Sequence, residues 1–259
     1  MTEGKEPARP FIWRGVYPTW EAACAAADSE NGERAFRSAR WLDRITQQLI
    51  DYRTAFTEHR MALPPRPSNL PLVCAMSGAA TVVDLGGSSG WSWDYLFNSL
   101  PTNQIASYVI VELESVVQHM RESGLHGATV SYQTSAEPLE RCDVLYSNSV
   151  LQYFPSNSPL LSLVARTRPQ VILLDDLVAH GDDDFFTTQT YFDSAIPYRF
   201  IGLGQLLRDL SELGYRGVLR GPYASPIRGA VDPFEMSNFP EEKRIRYSST
   251  LLLSRVDRP

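Results

Sequence analysis

The stretch Thr81-Val82-Val83-Asp84-Leu85-Gly86-Gly87-Ser88-Ser89-Gly90-Trp91-Ser92-Trp93 reads as a buried strand, a glycine loop and the start of a helix. Glycines let a backbone turn sharply and bring its N–H groups close to a ligand. The helix start adds partial positive charge at the same point. The next apolar run, Tyr108-Val109-Ile110-Val111, ends in Glu112. A carboxylate at the tip of a second strand is placed to accept hydrogen bonds from both hydroxyls of a ribose. It also suits the N-terminus of the helix that follows. Asp84 lies inside the first strand, where an acid is costly to bury unless it is hydrogen-bonded. There it can pair with loop N–H groups and lie near an ammonium. The three features together suit a ligand that joins an amino acid to a nucleoside. A dinucleotide favours G-x-G-x-x-G, a spacing this loop lacks.

A second set of reactive groups follows the apolar run Val171–Leu174. Asp175 and Asp176 end that run, and His180 lies in the loop after it. His180 has the intrinsic pKa closest to neutral and is the candidate general base, although a surface loop histidine reads the same way. Thr188-Gln189 and Tyr191 come next and are candidates to position an acceptor. Asp182-Asp183-Asp184 reads as a solvated acidic turn rather than a metal site, and no metal ligand set is expected. A divalent ion acting through Asp175 or Asp176 stays open. The catalytic expectation is therefore His180, Asp176 and Gln189.

From Thr81 onward, short apolar runs alternate with helical stretches. Thr81–Leu85, Tyr108–Glu112, Thr129–Tyr132, Val144–Ser147 and Val171–Leu174 read as buried strands. Trp91–Leu100, Leu113–Ser123, Leu160–Arg166 and Ile201–Leu213 read as helices. That alternation predicts an α/β fold with a mostly parallel sheet covered on both faces. Tyr215–Leu219 and Tyr247–Ser254 are set to pair as an antiparallel hairpin at the sheet edge. Upstream, Thr19 caps a short helix to about Asp28. A longer helix spans Glu33 to Met61, with Leu42, Ile45, Leu49, Tyr52 and Phe56 on one buried stripe. The cluster Pro64-Pro65-Arg66-Pro67 ends it, and Leu70–Met76 forms another short helix. Two units follow from this: a tail and helical cap over 1–78, and a Rossmann-like domain over 79–259. Trp13, Tyr17 and Trp20 are placed either to cover a ligand as a lid or to pack the N-terminal segment on the sheet.

With these motifs the chain resembles class I S-adenosylmethionine-dependent methyltransferases, whose loop opens with an acid two residues before G-x-G-x-G. Here Asp84 precedes Gly86-Gly87-Ser88-Ser89-Gly90, with Ser88 in place of the middle glycine. The resemblance implies that Asp84, Gly86, Gly87, Ser88, Gly90 and Glu112 hold S-adenosylmethionine. It also implies that Ser135-Ala136-Glu137 meets the adenine, and that Ser147 and Asn148 lie beside the transferred methyl. More narrowly, the chain resembles a group of bacterial methyltransferases defined by sequence. The shared motifs are Phe11…Gly15-Val16-Tyr17-Pro18-Thr19-Trp20, Ser147-Asn148-Ser149-Val150-Leu151-Gln152-Tyr153, Thr188-Gln189 and Pro197-Tyr198-Arg199. They imply O- or N-methylation of a small-molecule acceptor, in bacterial secondary or specialised metabolism.

Composition bounds the partners. The 259 residues carry a formal net charge of −6. So acidic a chain has no general attraction to nucleic acid or anionic membrane, although Arg34, Arg37, Arg40 and Arg44 form a local basic cluster. Three scattered cysteines, Cys24, Cys74 and Cys142, fit neither a disulfide framework nor a C-x-x-C metal site. They fit a reducing cytoplasm. The polar segment Met1–Pro10 lacks the apolar core of a signal peptide. Two other readings stay open: an NAD-dependent oxidoreductase, which shares the strand–loop–helix unit, and a non-catalytic methyltransferase-like binding subunit.

Overall fold

The structure, a computed structural model, describes residues 11–27, 33–59, 68–101, 104–135, 137–191, 194–223 and 233–256. The β-branched and aliphatic runs form the expected central strands: β2 (Thr81–Leu85), β3 (Ser107–Val111), β4 (Val130–Gln133), β5 (Val144–Asn148) and β6 (Val171–Leu177). Upstream of them lie β1 (Trp13–Tyr17), α1 (Trp20–Ala26), α2 (Glu33–Phe36), α3 (Ala39–His59) and α4 (Leu70–Ser77). Interleaved with the strands are α5 (Trp91–Ser99), α6 (Glu114–Ser123) and α7 (Ser158–Thr167), and 3-10 turns cover Leu151–Tyr153 and Glu241–Lys243. The chain ends with β7 (Phe185–Tyr191), β8 (Ser194–Phe200), α8 (Leu203–Glu212), β9 (Tyr215–Tyr223) and β10 (Ser248–Arg255).

The main sheet has seven strands in the order β4-β3-β2-β5-β6-β10-β9. Strands β2 to β6 run parallel, and β10 runs antiparallel to both of its neighbours. The expected edge hairpin is therefore present, with β9 as the outer strand. The order reverses between β2 and β5, which opens a crevice at the carboxyl ends of those strands. The glycine loop leaves β2 at that crevice.

Alternation along each strand divides the core. Val82, Tyr108, Ile110, Tyr146 and Leu173 face α3, α4, α5 and α6. Val83, Leu145, Ile172 and Leu251 face the layer that holds α7 and α8. The buried stripe of α3 is Trp41, Ile45, Leu49 and Tyr52. All three cysteines are buried. Among the described residues, no helix is long and apolar enough to cross a membrane.

The N-terminal half departs from expectation in two places. The helix expected from Glu33 breaks after Phe36 and restarts at Ala39. Ser38 is the reason: its Oγ accepts from Trp41 N–H at 3.3 Å, while its carbonyl accepts from Leu42 N–H at 3.0 Å, a helix start. The expected end at Met61 lies outside the described residues. Thr19 does cap α1, accepting from Ala22 N–H at 3.2 Å. The second departure is a sheet that sequence reading did not foresee. The segment Trp13–Tyr17 forms strand β1, in a three-stranded antiparallel sheet of order β1-β7-β8. The N-terminal extension is thus part helix and part strand. Its strand pairs with a hairpin inserted after β6, with Trp13 opposite Gln189 and Arg14 opposite Thr188.

Candidate functional site

At the tip of β2, three glycines make room for side chains from other parts of the protein. Gly86 has φ +74°, and a Cβ there would fall 2.4 Å from Val150 Cγ2. A Cβ at Gly87 would fall 2.5 Å from Asp84 Oδ2. Gly90 has φ +80°, and a Cβ there would meet Tyr132 Oη at 2.8 Å and His126 Nε2 at 2.9 Å. Ser88, in the place of the usual middle glycine, takes the same left-handed backbone with φ +53°. For a residue with a Cβ that conformation costs on the order of 1–2 kcal/mol. It turns the Ser88 N–H toward Glu112 Oε1, 3.0 Å away. Gly86 N–H donates to Val111 O at 2.9 Å and locks the loop to β3.

Glu112 meets the start of the following helix and also the glycine loop. Oε1 receives the Ser88 N–H, and Oε2 receives Leu113 N–H at 2.8 Å, at the start of α6. Burial raises its pKa, and the two backbone hydrogen bonds oppose that rise. A carboxylate has about four lone-pair sites, so two hydrogen bonds leave capacity for ligand hydroxyls.

Asp84 lies directly beneath the loop, 1% exposed. Its Oδ2 accepts from Tyr108 Oη at 2.6 Å. Burial pushes its pKa up to about 7; the Tyr108 hydrogen bond pulls down, and the nearby Glu112 adds to the rise. Tyr108 escaped notice in the sequence. Strand alternation does signal it, because pairing β2 with β3 puts Tyr108 and Ile110 on the face of Asp84.

The raised pKa has a consequence for stability. Unfolding returns Asp84 to water, where its ordinary value is 3.8. Between about pH 4 and about pH 7 the native state holds the proton and the unfolded state does not. Stability therefore falls as pH rises through that window. Glu112 and Asp175 are raised as well and act in the same direction. Asp84→Asn is expected to remove the Asp84 share of this slope in urea melts run at a series of pH values. An unchanged slope would show that Asp84 does not bind a proton in that range.

At the end of β5, Ser147 Oγ donates to Leu85 O at 3.1 Å and ties the two strand tips together. Asn148 Nδ2 donates to Tyr146 Oη at 2.9 Å and to Tyr223 Oη at 3.2 Å. Asn148 Oδ1 is buried without a partner, as is Gln152 Oε1 just beyond. Buried acceptors of this kind are normally satisfied, by ligand or water if not by protein. Ser135 is exposed in the turn after β4, where Thr134 N–H donates to Glu137 Oε1 at 2.9 Å. Ala136 lies outside the described residues.

Asp175 and Asp176 both reach one face of β10, although neighbours in a strand normally point opposite ways. The register between β6 and β10 slips here, and Asp176 has φ +51°. Asp175 accepts from Thr250 Oγ1 at 2.7 Å and from Ser68 Oγ at 2.8 Å. Asp176 accepts from Ser248 Oγ at 2.6 Å. Desolvation by burial raises the pKa of Asp175.

His180 Nε2 lies 2.6 Å from the Glu242 carbonyl, and His180 N–H donates to Ile201 O at 2.9 Å. A carbonyl only accepts, so Nε2 carries the proton and Nδ1 is the basic nitrogen. The acidic turn beside it is more than solvated. Asp184 accepts from the fully buried Arg199 Nη1 at 2.9 Å and from Gly202 N–H at 2.7 Å. Gln189 Oε1 accepts from Tyr153 Oη at 3.1 Å, which joins β7 to the turn beyond β5. Trp41 Nε1 donates to Tyr191 Oη at 2.8 Å, and the Phe36 ring lies 5.0–5.4 Å from the rings of Trp41, Tyr153 and Tyr191. The structure thus gathers Asp84, the loop and Glu112 at the neighbouring tips of β2 and β3, and links Gln189 to Tyr153 beyond β5. No hydrogen bond among the described residues joins His180 to either group. Trp13, 1% exposed, packs on Tyr198, Phe200 and Phe234. Trp20 meets Phe186 edge-on.

No protein-family model and no curated protein matches this chain. Solved structures do. Human N-acetylserotonin methyltransferase in complex with SAM is 12% identical, with 92% of this chain and 62% of that chain covered and a TM-score of 0.53. The glycopeptide N-methyltransferase MtfA complexed with sinefungin is 16% identical, with 73% and 93% covered and a TM-score of 0.50. The likeness is one of fold: a Rossmann-like methyltransferase sheet with its antiparallel edge hairpin.

Proposed function

We propose that this chain binds S-adenosylmethionine at the glycine loop and methylates an oxygen or nitrogen of a small-molecule acceptor. The observation that carries this reading is the pairing of a buried Asp84 under the loop with Glu112 closing the loop from the tip of β3. Asp84 is a buried acid with one hydroxyl donor, which suits a cationic amino-acid group. Glu112 retains lone pairs for a ribose, and Asn148 Oδ1 is a buried acceptor awaiting a donor. The fold neighbours crystallised with SAM and with sinefungin support the same ligand class.

In this reading Asp84, Gly86, Gly87, Ser88, Gly90, Glu112, Ser135, Ala136, Ser147 and Asn148 form the cofactor site. S-adenosylmethionine supplies a methyl group already activated by its sulfonium. The chain's own work is then alignment, exclusion of water and, for a hydroxyl or protonated amine, removal of a proton. His180 Nδ1 takes that proton, Gln189 orients the acceptor from β7, and Asp176, held by Ser248, completes the proposed catalytic set. The setting is a cytoplasmic enzyme of bacterial specialised metabolism.

Calorimetric titration with S-adenosylhomocysteine and, separately, with NADH tests the cofactor. Micromolar binding of the first, about −8 kcal/mol, and none of the second is expected. Absence of heat with S-adenosylhomocysteine at millimolar concentration defeats the reading, and NADH binding would favour an oxidoreductase. Methyl transfer to candidate acceptors, followed by mass spectrometry, separates an enzyme from a non-catalytic binding subunit. Glu112→Ala is expected to weaken S-adenosylhomocysteine binding by about 1.5–3 kcal/mol, the worth of a hydrogen bond to a charged group. Glu112→Asp should lose less. Parental affinity in both variants would leave Glu112 only its contacts with the loop and α6.

A further inference from the structure

His126 lies in the connection between α6 and β4 and packs against Gly90 of the glycine loop. Its Nε2 is 2.8 Å from the carbonyl of Ser89, in the middle of the glycine loop. Its Nδ1 is 3.3 Å from Arg53 Nη2. Arg53 comes from α3 and is itself held on three sides. Nε and Nη2 donate to the two oxygens of Asp94 on α5 at 2.6 and 3.0 Å, and Nη1 donates to Leu125 O at 2.7 Å. A guanidinium only donates and a carbonyl only accepts, so the histidine has one arrangement that satisfies both. Nδ1 is unprotonated and receives Arg53, while Nε2 carries hydrogen and donates to Ser89. Burial holds the pKa of His126 below its ordinary value, which keeps it in that neutral form.

The geometry points to His126 and Arg53 as positioning residues for the cofactor loop, a clamp through which helix α3 sets the geometry of residues 86–90. The absence of a side chain at Gly90 belongs to this device, because a Cβ there would fall 2.9 Å from His126 Nε2. The loop amides that the clamp holds in place include Ser88 N–H on Glu112 and Gly90 N–H on Gly87 O at 2.9 Å. Holding the Ser89 carbonyl against the protein keeps the neighbouring N–H groups oriented before ligand arrives, and preorganisation of this kind improves affinity by lowering the ordering cost of binding. The effect on ligand rests on the cofactor reading above; the clamp itself does not.

Two measurements test it on the full chain. Hydrogen exchange of the 86–90 amides in the ligand-free protein reads the clamp, and calorimetry with S-adenosylhomocysteine reads its effect on binding. His126→Phe keeps a ring but loses the donor. It is expected to speed exchange across 86–90 and to raise the Kd about tenfold, the equivalent of one hydrogen bond. His126→Gln places an amide N–H near the position of Nε2 and should restore both toward the parent, which simple packing of the ring would not. Arg53→Met leaves the histidine without its Nδ1 donor and should show the same changes as His126→Phe, and it serves in place of His126→Phe should that variant not fold. Parental exchange in 86–90 in a folded His126→Phe or Arg53→Met overturns the clamp. Faster exchange in a protein whose parent does not bind S-adenosylhomocysteine would uphold the clamp and defeat the cofactor reading.

Discussion

Gly86→Val is expected to abolish S-adenosylhomocysteine binding, with a Kd more than about 100-fold above the parent, or roughly 3 kcal/mol. Two independent effects combine. Gly86 sits at φ +74°, a region that a β-branched residue rarely adopts. Its Cβ would also overlap Val150, 2.4 Å away, just past the tip of β5. Either the loop moves off Val111 O, to which Gly86 N–H is bonded, or the β5 tip moves with Asn148. Both displacements fall within the proposed ligand site. Overpacking of this kind also lowers stability by about 1–3 kcal/mol, so a thermal melt must accompany the titration. Adding Val150→Ala relieves the overlap but not the backbone strain, and binding should then return only in part. A folded Gly86→Val protein with parental affinity would rule out the loop as the binding element.

His180→Ala should lower turnover on a hydroxyl or protonated-amine acceptor by roughly 10²–10⁴-fold, the usual worth of a positioned general base. Affinity for S-adenosylhomocysteine should hardly change, since His180 has no described bond to the loop. Its Nε2 is occupied by the Glu242 carbonyl, which leaves Nδ1 to accept the proton. The loss should shrink at high pH, where a pre-ionised acceptor needs no base. His180→Gln retains a donor for Glu242 but is not basic, so it separates loop anchoring from proton transfer. Turnover within about twofold of the parent from pH 6 to pH 9 would exclude His180 as the base. It would favour an anionic acceptor aligned by Ser147, Asn148 and Gln152, for which orientation alone is sufficient.

Much of the fold was legible in the sequence because its signals are local. The run Thr81–Leu85, the glycines after it and Glu112 after the next run are separated by short stretches of chain, and each reports its own conformation through side-chain type. Strand alternation and the Thr19 cap are likewise properties of neighbouring residues. The order β4-β3-β2-β5-β6-β10-β9 is not local in this sense: a fixed crossover hand narrows the possible arrangements, and packing selects among them. By local signals the hairpin β7–β8 was within reach. Phe185–Tyr191 is rich in aromatic and β-branched residues, but Pro197 and the polar Thr188-Gln189 obscured its pattern.

What the amino-acid sequence determined by itself was the Rossmann-like sheet, its glycine loop, and the two acids that sit with that loop. Only the tertiary structure decided which groups surround them. Trp13 pairs with Gln189, Arg53 reaches His126, and Tyr108 meets Asp84, because separate elements fold onto the same strand ends. That Glu112 bonds the loop as well as its own helix was also a question of space, and the carboxylate has an oxygen for each. The glycines show the difference most directly. Sequence reading explained them by the approach of a ligand, whereas the folded chain places Val150, Asp84, and Tyr132 with His126 against the three positions. Contacts of that kind depend on how distant segments pack, and local propensity carries no information about them.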